Sequence, residues 1–299
     1  MALPRGALHK ALIPGFKKVI FDQWKQLPLE GKALVNVETS RRAYEETWQM
    51  AGFQSLRRKP EGGQVSFEDP RQGGTKRFLY DTYALGFRIT WEMQEDDLYS
   101  LVGNRLMKYL SRSARHNEEV IMHSPFNNAF NTAFAGFTAG QSLCGDHTLI
   151  KGGTIRNRPT VDADIDLLSL QAALEHFHSL TLEDGVIKMR LIPRALVHNI
   201  GDMWIVDQLL KTPRLPGTNF NDYNSLAHQS LMPHLSHYLD DTDAWFLLAG
   251  EHEIKYFNRY PATLWTYDDP RTKDIEAMII ARRGCDWDEW RGVYGSSGG

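Results

Sequence analysis

Residues 44–123 place two strand-like arms directly before one long amphipathic helix, and this arrangement constrains the fold more than any other feature of the chain. The first arm is Tyr44–Phe53, a Gly- and Pro-rich tip follows at 57–75, and a return arm rich in aromatic and β-branched residues spans Lys76–Trp91. Arms of about 15 residues would project on the order of 50 Å. A two-stranded hairpin alone is marginal in water, so we expect neighbouring copies to cover this one.

The helix begins after Trp91, with Glu95, Asp96 and Asp97 in its first turn, where the helix dipole favours negative charge. Apolar residues then recur at three- and four-residue spacing as far as Ile121, and we expect Pro125 to stop the helix. Nearly 30 residues at about 1.5 Å each would make a rod of roughly 45 Å. An ordinary core helix of a globular enzyme is the alternative interpretation.

The overall composition is that of a folded, soluble protein. The chain has 299 residues, 42% of them hydrophobic and 24% charged. A run of 18 apolar residues does not occur, which argues against a membrane-spanning helix, and Met1–Lys18 lacks the apolar core of a secretion signal. Two cysteines, Cys144 and Cys285, cannot make a disulfide framework, which is consistent with a reducing compartment.

Charge is unevenly distributed along the chain. Residues 1–60 carry 11 Lys and Arg against 5 Asp and Glu, and the rest of the chain carries 23 against 32. A basic arm joined to an acidic body can bind nucleic acid or the acidic body of the next copy, and the hairpin favours the second option. The candidate contact residues are the cations around the tip and the carboxylates at the helix start: Arg57, Arg58, Lys59, Arg71, Lys76, Arg77, Glu95, Asp96 and Asp97.

The remainder of the chain predicts a mixed α+β body. Asp164–Leu180 has the period of an amphipathic helix, Val186–Pro193 reads as a buried strand that Ala195–Val197 continues, and Asp202–Lys211 is a further helix. Four more strands are predicted, at Trp245–Leu248, Ile254–Phe257, Ala262–Tyr267 and Ile275–Ala281.

Two clusters could carry chemistry. Cys144, Asp146 and His147 resemble part of a metal site, but no second Cys or His pair completes it, so we expect a turn capped by Asp146 or His147. Asp240, Asp241 and Asp243 could hold a hard cation, although their spacing is not that of a calcium loop. A metal-dependent hydrolase using these residues with His147 is therefore an alternative function, while no cofactor is predicted.

Several local motifs, taken in order, resemble a known family. They are Arg88–Glu92 before Asp96–Leu98, Leu143–Thr148, Leu191–Val197, Thr218–Asn224, Tyr238–Leu247 and Trp287–Gly295. The chain resembles the major capsid proteins of tailed bacteriophages with the Hong Kong 97 type of fold, and among them the Mu-like major head subunits most closely. No motif matches the lysine–asparagine cross-link of the type member.

The resemblance implies a division of the chain into named regions. These are an N-terminal arm (1–43), an extended loop (44–93), a spine helix (94–124), a peripheral domain (125–159 and 266–299) and an axial domain (160–265). Within the axial domain, we expect Trp245–Leu247 to form a core strand that follows a turn at Asp243.

The implied function is structural and not enzymatic. The subunit would form hexamers and pentamers of an icosahedral head that holds double-stranded DNA without sequence specificity, after assembly in the host bacterial cytoplasm. The implied partners are other copies of the chain, a separate scaffold protein, a portal and a decoration protein, and no membrane. A DNA-binding protein acting through residues 1–60 is the second alternative, and it predicts tight, salt-dependent binding by monomers.

Overall fold

The computed structural model describes residues 18, 20, 22–24, 26–95, 99–214 and 223–299. The chain divides into two compact units, each drawn from separate segments. The first unit comprises Met1–Glu45, Phe78–Met122 and Tyr256–Cys285, and the second comprises Glu46–Arg77, His123–Lys255 and Asp286–Gly299.

The first unit is built on a four-stranded sheet with the order β1–β10–β11–β4. Its strands are β1 (Asn36–Glu38), β4 (Asp81–Ile89), β10 (Ile254–Asp268) and β11 (Ile275–Trp287). Strands β4 and β11 are antiparallel, with Ile275 opposite Ile89 and Arg283 opposite Asp81. Because β4 stands last in this order, one of its backbone edges faces away from the sheet.

A long helix covers one face of this sheet. Helix α1 spans Trp91–Glu95 and helix α2 spans Tyr99–Asn127. Residues of β11 alternate between buried and half-buried from Ile275 to Arg283, as a strand with one covered face requires. Met107 and Leu110 of α2 pack with Ala277 and Ile279 of β11 in one core cluster.

Pro125 does not stop the helix, contrary to the sequence-based prediction. It lies inside α2, which ends two residues later at Asn127. A proline removes the backbone hydrogen bond to the carbonyl four residues earlier, and here that loss falls in the last turn, where the helix is about to end.

The predicted hairpin is also corrected, because its return arm divides between two sheets. Strand β2 (Glu45–Ala51) pairs with β3 (Arg71–Phe78), whereas residues 81–89 form β4 and pair with β11. The return strand begins at Arg71, inside the region predicted as tip. The paired strands have seven and eight residues, which at about 3.3 Å each gives roughly 25 Å, half of the predicted projection.

Aromatic packing explains where the return arm changes sheets. Phe78 and Tyr80 both pack on Phe257 of β10, with ring centroids 5.0 and 5.7 Å away. Gly284 of β11 lies against the same segment, where an added Cβ would be 2.3 Å from the carbonyl oxygen of Leu79. Only glycine permits that approach, so the chain between β3 and β4 is held to β10 and β11.

The second unit contains a four-stranded sheet with the order β12–β9–β7–β8. Its strands are β7 (Pro193–His198), β8 (Met232–Leu235), β9 (Trp245–Ala249) and β12 (Val293–Ser296), and a separate hairpin joins β5 (Asp146–Thr148) to β6 (Thr154–Arg156). All five residues of β9 are buried. Two helices belong to this unit, α3 (Leu167–Ser179) and α4 (Met203–Lys211).

Both helices agree with the sequence predictions, whereas three of the predicted strands differ. Asp166 caps α3 by accepting the backbone N–H of Ser169. The strand predicted at Val186–Pro193 is wrong: β7 begins at Pro193, the first-residue position that suits a proline, and Val186 is 63% exposed. The strands predicted at Ile254–Phe257 and Ala262–Tyr267 are parts of the single long strand β10.

Candidate intersubunit interface

The base of the extended loop is bonded to the rest of the second unit through β2. The side-chain amide of Gln49 donates to Glu183 at 2.8 Å. Glu183 in turn pairs with Arg291 at 2.6 Å, and both of these charged side chains are nearly inaccessible. A hydrogen bond to a charged group is stronger than one between neutral groups, so this contact with a buried carboxylate holds β2 to the unit.

The other strand of the loop is attached through Lys76. Its Nζ lies 2.6 Å from a carboxylate oxygen of Asp286 and donates to the carbonyl oxygen of Ala135 at 2.7 Å. Burial raises the pKa of the Asp286 carboxyl, and the nearby Lys76 ammonium opposes that rise. Lys76, one of the predicted contact residues, is therefore engaged inside its own chain, and with Gln49 it fixes what we call the stem, residues 45–51 and 71–78.

The tip, residues 53–70, has no helix or strand and is bonded mainly to itself. Glu68 accepts the backbone N–H of Gln54 at 2.9 Å and pairs with Arg57 at 3.4 Å. At the far end the backbone N–H of Gly63 donates to the carbonyl of Pro60, in a turn where Gly62 has a φ of 72°. A positive φ at that position favours glycine.

The basic character of the tip is offset within the tip itself. Three cations stand against three carboxylates between residues 53 and 70: Arg57, Arg58, Lys59, Glu61, Glu68 and Asp69. Arg58, Lys59 and Arg71 are exposed, and none of them forms an ion pair with another described residue. Arg77 lies 3.6 Å from Glu46 across the stem. The predicted acidic partners Asp96 and Asp97 lie outside the described residues, as does the side chain of Glu95.

Exposed apolar side chains distinguish the tip more than its charge does. Leu56 is 100% exposed and Phe67 is 91% exposed, and Phe53 and Val65 are both exposed by at least 60%. On the stem, Trp48 and Met50 stand two residues apart on one exposed face of β2. Exposed apolar surface grouped in this way marks a site of interaction with another protein. The sequence interpretation missed these residues, although the alternation of Val65 and Phe67 was a usable signal.

Neither candidate metal cluster is assembled as the hydrolase alternative requires. Cys144 is buried, and residues 146–148 form strand β5 instead of the predicted capped turn. Asp146 pairs with Arg156 at 2.6 Å, while His147 hydrogen-bonds Asn157 at 3.1 Å. Within the described chain, no group of three or more His, Cys, Asp or Glu side chains is placed to bind a metal ion.

The aspartates at 240–243 serve a turn. Asp240 accepts a hydrogen bond from the Asn127 side chain at 2.9 Å, and Asp241 accepts the backbone N–H of Asp243 at 3.2 Å. Residues 242 and 243 lie in a bend directly before β9. This confirms the predicted turn at Asp243 and the buried strand that follows it.

The buried His147 makes stability dependent on pH. Its ring stacks on Trp290 at 4.1 Å, and burial lowers its pKa from about 6.5 to about 4. The unfolded chain therefore binds a proton between pH 6.5 and 4 that the folded chain does not, so stability falls as the pH falls through this window. Between pH 7 and pH 5, we expect the free energy of unfolding of the His147→Gln variant to fall by about 2 kcal/mol less than that of the parent, measured by urea unfolding.

The comparison of parent and variant isolates this histidine from other titrating groups. Burial raises the pKa of Asp286 and Glu289, and those groups change stability in the opposite direction. A variant that loses as much stability as its parent over the same pH range would contradict the assignment. His178→Gln, at an exposed position of α3, is the matched control.

The helices of the described residues include none with both the length and the hydrophobicity to cross a membrane. The long helix packs on a sheet, and the loop exposes apolar side chains that suit contact with another protein. Comparison with solved structures identifies the fold as the Hong Kong 97 type of capsid fold.

Three similar solved structures cover nearly the whole chain at low sequence identity. A virus-like particle from Pyrococcus furiosus gives a TM-score of 0.56 at 9% identity, covering 94% of this chain and 97% of the other. A structure of Mycobacterium phage Adephagia gives 0.57 at 8% identity, covering 91% of each chain. The capsid of Myoviridae phage XM1 gives 0.53 at 10% identity, covering 88% of each chain. No curated protein matches the sequence.

Residues 80–296 match the family described as phage capsid protein. The match covers more than half of the chain, so the chain belongs to the phage capsid protein family. Its function is that of a structural protein of the capsid shell.

Proposed function

We propose that the chain is the major head subunit of a tailed bacteriophage, related to the Mu-like head subunits, and that copies of it form the hexamers and pentamers of an icosahedral shell. The observation that carries the proposal is the loop, whose stem is held by the Gln49–Glu183 and Lys76–Asp286 contacts while its tip exposes Leu56 and Phe67. Exposed apolar surface of this kind is typically covered by a partner protein, and in a phage capsid protein the partner would be another copy of the same chain.

In this assembly the tip rests on an adjacent copy. Arg57, Arg58, Lys59 and Arg71 supply positive charge, while Glu95, Asp96 and Asp97 at the start of the long helix are the candidate acidic partners. Arg77 is half-exposed and can take part in the same contact, whereas Lys76 contributes by fixing the stem. Each exposed ion pair is worth only about 0–1 kcal/mol, so the strength of the contact comes from many repeats and from the apolar side chains.

The proposal extends to the remaining partners and to the regions of the chain. The shell would assemble in the host cytoplasm around a separate scaffold protein and would incorporate a portal. It would bind a decoration protein on its outer surface and hold double-stranded DNA without sequence specificity. Residues 160–265 would form the axial domain at the centre of each hexamer or pentamer. Residues 125–159 and 266–299 would form the peripheral domain.

Electron microscopy of the purified chain, with and without its scaffold protein, tests this function. Closed particles of uniform size, with rings of five and six subunits, are the expected result. Salt-dependent DNA binding by stable monomers that never form particles would instead support the alternative of a DNA-binding arm. Stoichiometric bound metal with hydrolytic activity would support the hydrolase alternative.

Reversing the charge of the tip tests its electrostatic role. The triple change of Arg57, Arg58 and Lys59 to Glu replaces three cations with three carboxylates and turns a balanced tip strongly negative. We expect assembly to become slower at low salt and to recover as salt is added, because screening acts over about 10 Å at 0.1 M. Light scattering at several salt concentrations measures the rate.

The control for this experiment changes the same number of charges elsewhere. Changing the exposed Arg190, Arg194 and Lys188 to Glu leaves the loop intact, although it alters the net charge equally. If the tip variant assembles as fast as the parent at low salt, the tip cations are merely solvated and the charge-based contact is wrong.

A further inference from the structure

A groove runs along the free edge of the first unit's sheet. It has a volume of about 380 Å³ and lies between β4 and helix α2. Four consecutive β4 residues, 82–85, line it, so the groove borders the backbone edge of the strand and not only one face. Its floor is mainly apolar, formed by Leu110, Ala114, Ile279 and Ala281.

The wall of this groove contains a buried donor that lacks an acceptor. Arg283 is 2% exposed, and one terminal nitrogen of its guanidinium bonds Glu118 and Tyr256, each at 3.2 Å. Its Nε, in contrast, has no hydrogen-bond partner among the described residues. A buried donor without a partner costs about 1–3 kcal/mol.

The edge of β4 offers unpaired backbone groups beside this donor. Within the described chain, β4 pairs only with β11. Strand edges of this kind accept an added strand, whose main-chain groups complete the ladder and whose alternate side chains enter neighbouring pockets. The groove is therefore suited to an extended peptide that carries apolar side chains at a spacing of two residues.

One segment of the chain has these properties and has no strand partner of its own. Gln64–Glu68 lies in the tip without secondary structure, and Val65 and Phe67 stand two residues apart, 60% and 91% exposed. In an extended segment they would share one face.

We propose that Gln64–Glu68 of one copy adds as a strand to the free edge of β4 in a second copy, with Phe67 in the groove. This inference rests on the proposed assembly of the shell and names its contact surface.

Photo-cross-linking in assembled particles tests the contact. Phe67 is replaced by p-benzoylphenylalanine, and particles are assembled from an equal mixture of ¹⁵N-labelled and unlabelled chains. After irradiation, mass spectrometry identifies the linked peptides. We expect links to residues 82–85, 110–117 or 279–283, half of them joining a labelled to an unlabelled chain. The same probe at Val161, which is 80% exposed on the second unit, is the control and should not link to those residues.

A blocking variant provides an independent measurement. Ala114 is half-buried on the groove floor, so Ala114→Leu fills the groove with a residue that helices accept. We expect the Phe67 cross-link to fall at least about tenfold, which corresponds to about 1.4 kcal/mol of lost contact. Ala172→Leu, at an exposed position of α3, should leave the yield unchanged.

The outcomes separate this inference from the function on which it rests. If the parent chain forms no particles, the proposed function fails. If particles form and the Phe67 probe links only to other residues, only within one chain, or not at all, the strand-addition contact is overturned while the function stands. Should the probe at position 67 prevent assembly, the same probe at Val65 gives the equivalent test.

Discussion

A chain in which residues 53–70 are replaced by a short Gly-rich turn is expected to fold normally and to form no closed shells. The hydrogen bonds and ion pairs of these residues, among the described part of the chain, join the tip to itself, as Glu68 does with Gln54 and Arg57. The stem keeps Gln49–Glu183 and Lys76–Asp286. The free energy of unfolding should therefore change by less than about 1 kcal/mol, while the shell yield falls below detection.

Sedimentation velocity and electron microscopy measure the shells, and urea unfolding of the unassembled chain measures stability. A second variant, in which a Gly and Ser sequence of equal length replaces residues 53–70, separates the effect of loop length from that of the side chains. We expect it to fail in assembly as well. Shells of normal size and yield from the shortened chain would show that the tip is dispensable.

Truncating Trp245 is expected to give the largest loss of stability of any change considered. Trp245 is 1% exposed in β9, and its indole N–H donates to the carbonyl of Ala163 at 3.0 Å. The ring of Tyr294 lies 6.0 Å away, centroid to centroid. Trp245→Ala removes this packing, leaves a cavity and takes one of two hydrogen bonds from the Ala163 carbonyl, which also accepts from the Ser296 hydroxyl. We therefore expect a cost of about 3–5 kcal/mol in urea unfolding of the unassembled chain.

Trp204→Ala is the matched control, because Trp204 belongs to the same unit and is 75% exposed on α4. We expect it to change the free energy of unfolding by less than about 0.5 kcal/mol. Equal stability of the Trp245 variant and its parent would mean that β9 is not a core strand.

Local patterns in the sequence predicted much of this fold because the responsible contacts repeat at short spacing. The apolar segment Ile275–Ala281 identified a strand, which in the structure faces the long helix, and the period of Asp164–Leu180 identified α3. The division of the return arm could not be predicted in this way. It depends on Phe257 and Gly284, which lie about 180 or more residues away in the chain.

The candidate interface was predicted less well for a related reason. The run Arg57–Lys59 indicates a basic tip, but the carboxylates that offset it come later, at Glu61, Glu68 and Asp69. Lys76 has the appearance of another surface cation, and only the distant Asp286 shows that it belongs to the stem. Exposure of Phe67 is equally a property of the folded chain, since an aromatic residue in a loop can be buried as readily as exposed.

In a closed shell of identical chains some neighbouring copies meet at steeper angles than others, and in the proposed assembly the loop is where that difference is absorbed. Its stem is fixed by the buried pair of Glu183 and Arg291 through Gln49, whereas the tip meets the stem only at residues 52–53 and 69–70. Gly52 has open space where a side chain would be, so its backbone can adopt conformations that other residues avoid. In the proposed shell we expect curvature to vary from place to place by rotation at Gly52, while the stem keeps the same contacts in every copy.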